Sequence, residues 1–211
     1  MRSAEQPDLR DAMVQSGVHP DIVIFDSCRM MTFEVCSAFA GYADFLAGAE
    51  RDSCGFRHSE WLLMINYMPR LTPESVACMA AECGAAVSRA VGDEDYVFSA
   101  IDLTSVSPLL SAFERLSGAL CDQPIADILR AGDRAEYLGE RNANEEYTDL
   151  VDLSSLAQEL KVLLPQETEN VQDTIRQCVR ICVHGKETLA QGISVFFRVI
   201  WIRLLNRRCR A

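Results

Sequence analysis

The sequence predicts an α/β fold, a mainly parallel sheet flanked by helices. Short β-branched apolar runs recur along the chain, segments of helical spacing alternate with them, and Gly or Pro marks the joins. "DIVIF" (21–25) is continuous in its hydrophobicity, as a strand buried on both faces should be. From Met30 to Phe39 the apolar residues fall at helical spacing, and Gly41 ends the run. "DFLAGAE" (44–50) reads as a second strand and "RDSCGF" (51–56) as a polar loop. Thr72-Pro73-Glu74 supplies an N-cap hydroxyl, a proline at the first helical position and an acid at the positive dipole end, and opens a helix to about Val91. "YVFSAID" (96–102) is a third strand, and Leu103 to Leu120 is an amphipathic helix. Beyond Asp122 the pattern turns helical and more polar, until "GISVFF" (192–197) reads as one more strand.

Composition narrows the function. With 211 residues, 49% of them hydrophobic, the chain can bury a full core. A formal charge of −11 argues against a nucleic-acid footprint and against an acidic membrane surface, and it favours a cationic substrate. The nine cysteines are odd in number and scattered through apolar segments, which reads as reduced, buried thiols rather than a disulfide framework. No CxxC pair is present, and His19, His58 and His184 have no finger-like spacing, so no metal site is expected. The first residues hold no long apolar core, so any export signal would lie outside this chain.

In open α/β sheets reacting groups collect where loops leave the carboxyl ends of strands. Cys28, in "DIVIFDSCRMM", stands at such an end, and a following helix N-terminus would offer it amide donors. The competing reading is a small packing residue like the other cysteines.

The stretch "DIVIFDSCRMMTFEVCSAFAGYADFLAGAE" resembles the catalytic segment of the clostripain-like cysteine peptidases, a family with the caspase-type α/β fold. There a strand ends in Asp-Ala-Cys-Leu-Met, a Glu follows six residues after the Cys, and a Tyr-Ala-Asp-Tyr-like step enters the next strand. The counterparts are Asp26-Ser27-Cys28-Arg29-Met30, Glu34 and Tyr42-Ala43-Asp44-Phe45. "YVFSAIDLTSVSPLLSAF", "YTDLVDLSSLAQEL" and "AQGISVFF" are similar to later family segments in the same order. The resemblance implies a caspase-like fold incomplete at its N-terminus over residues 1–197, with 198–211 as a separate tail. That tail, "RVIWIRLLNRRCRA", is basic and apolar. It reads as a truncated or frame-shifted end, or as an amphipathic partner or membrane-surface helix.

The resemblance further implies that the Cys28 thiolate attacks a peptide carbonyl through an acyl-enzyme. A peptide or protein is then the substrate, cut after Arg or Lys. Asp26 and Asp52 are the candidate substrate-binding acids, although Cys54 stands where the family carries an acid before Gly55 and the loop is about two residues shorter. The alternatives are a strand-end cap for Asp26 and a turn residue for Asp52. Glu34 is expected to make a structural hydrogen bond. No cofactor is expected; the resemblance alone raises calcium, and no EF-hand-like loop is present.

The family's histidine belongs to a His-Gly motif on a strand upstream of the Cys strand. His19 directly precedes the Cys28 strand and should lie at its opposite end; His184-Gly185 is the right dipeptide in the wrong place; His58 reads as a surface residue. The base is therefore expected in sequence upstream of residue 1, and the chain by itself is expected to be inactive. A catalytically inactive pseudo-peptidase acting as a binding or regulatory module is the alternative, and a redox thiol protein is a third.

Overall fold

The computed structural model describes residues 6–53, 55–138, 150–186 and 188–197. Helix α1 (Gln6–Ser16) precedes strand β1 (Ile22–Ile24), helix α2 (Phe33–Phe39) and strand β2 (Phe45–Ala49). Next come α3 (His58–Tyr67), a 3-10 turn at Met68–Arg70, α4 (Pro73–Ala90) and β3 (Val97–Asp102). A second 3-10 turn, Leu103–Ser105, leads to α5 (Ser107–Leu120) and α6 (Ile125–Arg134). The described residues end with β4 (Leu150–Asp152), α7 (Leu153–Leu160), α8 (Pro165–Cys178), β5 (Val179–His184) and β6 (Ser194–Phe196).

Four strands pair in the order β1-β2-β3-β5. β1 runs parallel to β2, with Ile24 opposite Ala47, whereas β2/β3 and β3/β5 are antiparallel. The α/β sheet between helices is as expected, but its pairings are mixed rather than mainly parallel. Every residue of β3 is buried, and a continuous apolar run reports burial on both faces, not strand direction. Side chains divide by the two-residue period. Leu46 and Ile101 face α2, α5, α7 and α8 in the larger core, while Ala47, Ala49, Ala100 and Phe98 face the side held by α4.

Helix α4 shows how sequence sets this packing. Thr72 caps it as expected, its hydroxyl accepting the Ser75 amide at 3.2 Å. Its sheet-facing side carries Ala77, Ala80, Ala81, Gly84 and Ala85, small enough for close approach. A Cβ on Gly84 would lie 2.3 Å from the Phe98 ring.

Several elements differ from expectation. The helix after Cys28 starts at Phe33, not Met30, because Thr32 caps it by accepting the Val35 amide at 3.1 Å. β6 pairs with β4 in a two-stranded sheet and meets the main chain after β1 through a parallel Thr32–Ser194 bridge and a 3.0 Å bond from the Ser194 amide to the Met31 carbonyl. Neither β4 nor β5 was anticipated in the stretch that reads as helical. Cys178 ends α8 and Cys182 lies in the strand, although four residues apart is the spacing of one helix face. Expectations for Cys54, the His58 side chain and residues 198–211 fall outside the described residues.

Candidate active site

Cys28 is exposed in the turn beyond the carboxyl end of β1. Its amide donor is not the α2 terminus, which starts past the Thr32 cap. The Ser53 amide instead donates to Cys28 Sγ at 3.3 Å, and the thiol donates to the Ser53 carbonyl at 3.5 Å. These contacts belong to a clasp between two loops running in opposite directions. The Arg29 amide donates to the Arg51 carbonyl at 3.2 Å, the Arg29 guanidinium pairs with Asp52 at 2.5 Å, and Asp26 Oδ1 accepts the Phe56 amide at 2.8 Å. Residues 26 to 29 thus meet 56 to 51 in reverse order. Arg29 takes φ +58°, a left-handed conformation that costs a non-glycine residue roughly 1–2 kcal/mol.

Of the two candidate substrate acids, Asp26 anchors the loop. It binds Phe56, its Oδ2 accepts the Trp61 indole N–H at 3.4 Å, and a Cβ on Gly55 would sit 2.8 Å from its Oδ1. Asp52 is half exposed and paired with Arg29, whose side chain is largely covered. Sequence reading did not single out Arg29, Ser53 or Trp61. An arginine within an apolar segment was the available signal for the first; a backbone amide and an indole in a loop give none.

The two described histidine side chains stand away from Cys28. His19 Nε2 is 3.0 Å from Asp44 Oδ1, before β1 and β2 begin, at the opposite edge of the sheet. His184 ends β5 opposite Val97, which puts it on the Cys28 edge but three strand spacings away, about 14 Å at ~4.8 Å each. Its Nδ1 donates to the Gly185 carbonyl at 2.8 Å. Gly185 itself is required by packing, since a Cβ there would lie 1.7 Å from the Glu94 carbonyl oxygen. Glu34 plays the structural part expected of it, accepting the Phe196 amide at 3.3 Å.

At the end of β2 a fully buried acid, Glu50, accepts the Gly192 amide at 3.1 Å. Its other oxygen faces no donor, and its carboxyl neighbours Asp152, so the pair is satisfied when Glu50 holds a proton and donates it. Burial, then the Asp152 charge, raises Glu50 well above the ordinary carboxylate range. Burial likewise raises Asp152 to about 6, against the amides of Gln191 and Ser155 that favour its ionised form. Thr188 and the Leu189 amide add bonds to Glu136, so three acids fasten the segment leading into β6.

Cys36 and Cys83 are buried and their thiols are raised, chiefly by burial; Cys78 and Cys121 are half-buried rather than buried. Among the described residues no group of three or more His, Cys, Asp or Glu side chains fits a metal ion, and no helix is long and apolar enough to cross a membrane.

An α/β sheet between helices thus carries an exposed thiol at the end of β1, and comparison with known proteins supplies the class. The model of the clostripain family matches residues 3–197. No curated protein matches. An inactive zymogen of a C11 protease from Parabacteroides distasonis superposes with a TM-score of 0.71 at 16% identity, over 97% of this chain and 60% of that one. A clostripain from Bacteroides thetaiotaomicron, in complex with the peptide inhibitor BTN-VLTK-AOMK, gives 0.70 at 13% identity, over 92% and 86%. A secreted C11 cysteine protease from the same organism gives 0.70 at 13%, over 91% and 54%. The chain belongs to the clostripain family of cysteine peptidases.

Proposed function

We propose that this chain carries the nucleophile of a clostripain-type cysteine endopeptidase that cleaves after Arg or Lys. The observation that carries the reading is the placement of Cys28, exposed at a strand end while Cys36, Cys83 and Cys178 are buried. The thiolate attacks the scissile carbonyl carbon, the amine leaves with a proton from a general acid, and water hydrolyses the thioester. The Ser53 amide, which donates to Cys28 Sγ, favours the ionised thiol that makes this attack. Asp26 and Asp52, close to the nucleophile in an acidic protein, support a basic residue on the acyl side of the cut bond. The inhibitor bound by the Bacteroides thetaiotaomicron clostripain contains the segment VLTK, which ends in a basic residue.

A second reading, a pseudo-peptidase that binds without cleaving, draws on His19 and His184, each engaged elsewhere. Without an imidazole beside it a cysteine has a few per cent thiolate at neutral pH and forgoes roughly 10²–10⁴-fold of acid–base help. The chain by itself should therefore turn over little substrate, and its base would come from further sequence of the protein. The test is cleavage of Arg-, Lys-, Asp- and Leu-ended fluorogenic peptides by this chain and by the longest natural protein containing it, with Cys28→Ala as control. Cleavage after Arg or Lys by the longer protein, lost in Cys28→Ala, supports the peptidase. Cleavage after Asp or Leu refutes the basic preference, and no cleavage by either favours the pseudo-peptidase.

A further inference from the structure

We propose that Arg29, through its ion pair with Asp52, is a positioning residue that holds the Cys28 thiol in the orientation needed for attack; this rests on Cys28 being the nucleophile. Arg29 is the residue immediately after Cys28, and its φ of +58° is a strained conformation that persists only where its surroundings hold it. Two contacts do so. Its amide bonds the Arg51 carbonyl, and its guanidinium pairs with Asp52 at 2.5 Å from a side chain only 22% exposed. Asp52 is in turn the residue before Ser53, whose amide and carbonyl both bond Cys28 Sγ. The ion pair therefore ties the neighbour of the nucleophile to the neighbour of the nucleophile's own partner. If the pair opens, Cys28 loses its fixed orientation and Ser53 its alignment together. A displacement of about an ångström at a reacting centre can cost on the order of a hundredfold in rate. Asp52 then has two duties, reading a basic substrate residue and fixing the turn.

Peptidyl chloromethyl ketones separate these duties, because the thiolate displaces chloride in a step whose rate, kinact, is measured apart from the binding constant KI. Arg-ended and Leu-ended ketones would be applied to the native protein and to Arg29→Gly, Arg29→Lys, Asp52→Asn and the Arg29→Gly/Asp52→Asn double variant. Adducts are mapped by mass spectrometry, and folding is checked by melting. Glycine takes a positive φ freely, so Arg29→Gly removes the ion pair without adding strain. We expect Arg29→Gly and Asp52→Asn each to lower kinact by about tenfold with both ketones, the double variant to be no slower than either, and Arg29→Lys to recover part of the loss. A rise in KI confined to the Arg-ended ketone in Asp52→Asn reports the substrate-reading duty. Unchanged kinact with the Leu-ended ketone in folded Arg29→Gly and Asp52→Asn overturns the proposal. Absence of any Cys28 adduct in the native protein overturns the peptidase reading, and this inference with it.

Discussion

Glu50 and Asp152 bring two carboxyl groups together inside the protein, each fully buried and each accepting an amide from the segment that leads into β6. Both are raised above their ordinary values, so the folded state binds protons there that the unfolded chain releases. Their effect on stability is therefore absent below about pH 4 and becomes increasingly unfavourable as pH rises through the folded value, about 6 for Asp152. Asp102 acts in the opposite sense. Burial opposes its ionised form, but bonds from Thr104, Arg180 and Ser105 outweigh it and lower the carboxyl, so its stabilisation is lost only as pH falls below the ordinary carboxylate range. Urea denaturation at pH 5 and pH 7.5 should thus show greater stability at pH 5 from this pair. Glu50→Gln, a permanent donor to Asp152, should reduce the difference; a pH dependence unchanged in that variant would exclude Glu50 as its source.

Gly55 should tolerate no side chain. Its φ is +69° and its missing Cβ points at Asp26, whereas Gly92 has φ +81° and open space around it. Gly92→Ala is expected to cost the backbone term alone, roughly 1–2 kcal/mol. Gly55→Ala should cost more than that and accelerate proteolysis of the 51–57 loop. Equal losses in the two variants would mean that the contact with Asp26 does not hold the loop.

The same comparison of terms applies to Gly84. Alanine is worth about 1 kcal/mol in helix propensity, yet its Cβ would lie 2.3 Å from the Phe98 ring, and overpacking of this kind costs about 1–3 kcal/mol. Gly84→Ala should be net destabilising in thermal unfolding, and Phe98→Leu in the same chain should relieve part of the loss. A stabilised Gly84→Ala would show that α4 can move off the sheet without penalty.

These positions mark how far the sequence could be read. β1, α4 and β3 were legible because "DIVIF", Thr72-Pro73-Glu74 and "YVFSAID" each carry a local signal; the expected burial on both faces holds for β3 but not for β1, whose residues are half-buried at the edge of the four-stranded sheet. Strand direction was not legible, because burial on both faces looks the same in parallel and antiparallel pairs. β5 was hidden because Cys178 and Cys182 fall at helical spacing across a helix–strand junction, although Val179, Ile181 and Val183 alternate as a strand should. At the candidate site the position of Cys28 could be read from its strand and the family likeness. The clasp could not, since it depends on a left-handed Arg29 and on the Ser53 backbone, and neither leaves a mark in residue type.

The central claim, that Cys28 is the reactive thiol, is tested most directly by brief alkylation of the native protein followed by peptide mapping. An Arg-ended peptidyl ketone and iodoacetamide would be compared on the same preparation. The account predicts that Cys28 is labelled first by both, ahead of half-buried Cys78 and Cys121 and well ahead of buried Cys36 and Cys83, with the ketone adduct confined to Cys28. Preferential labelling of any of those four, or a ketone adduct that persists in Cys28→Ala, would contradict it.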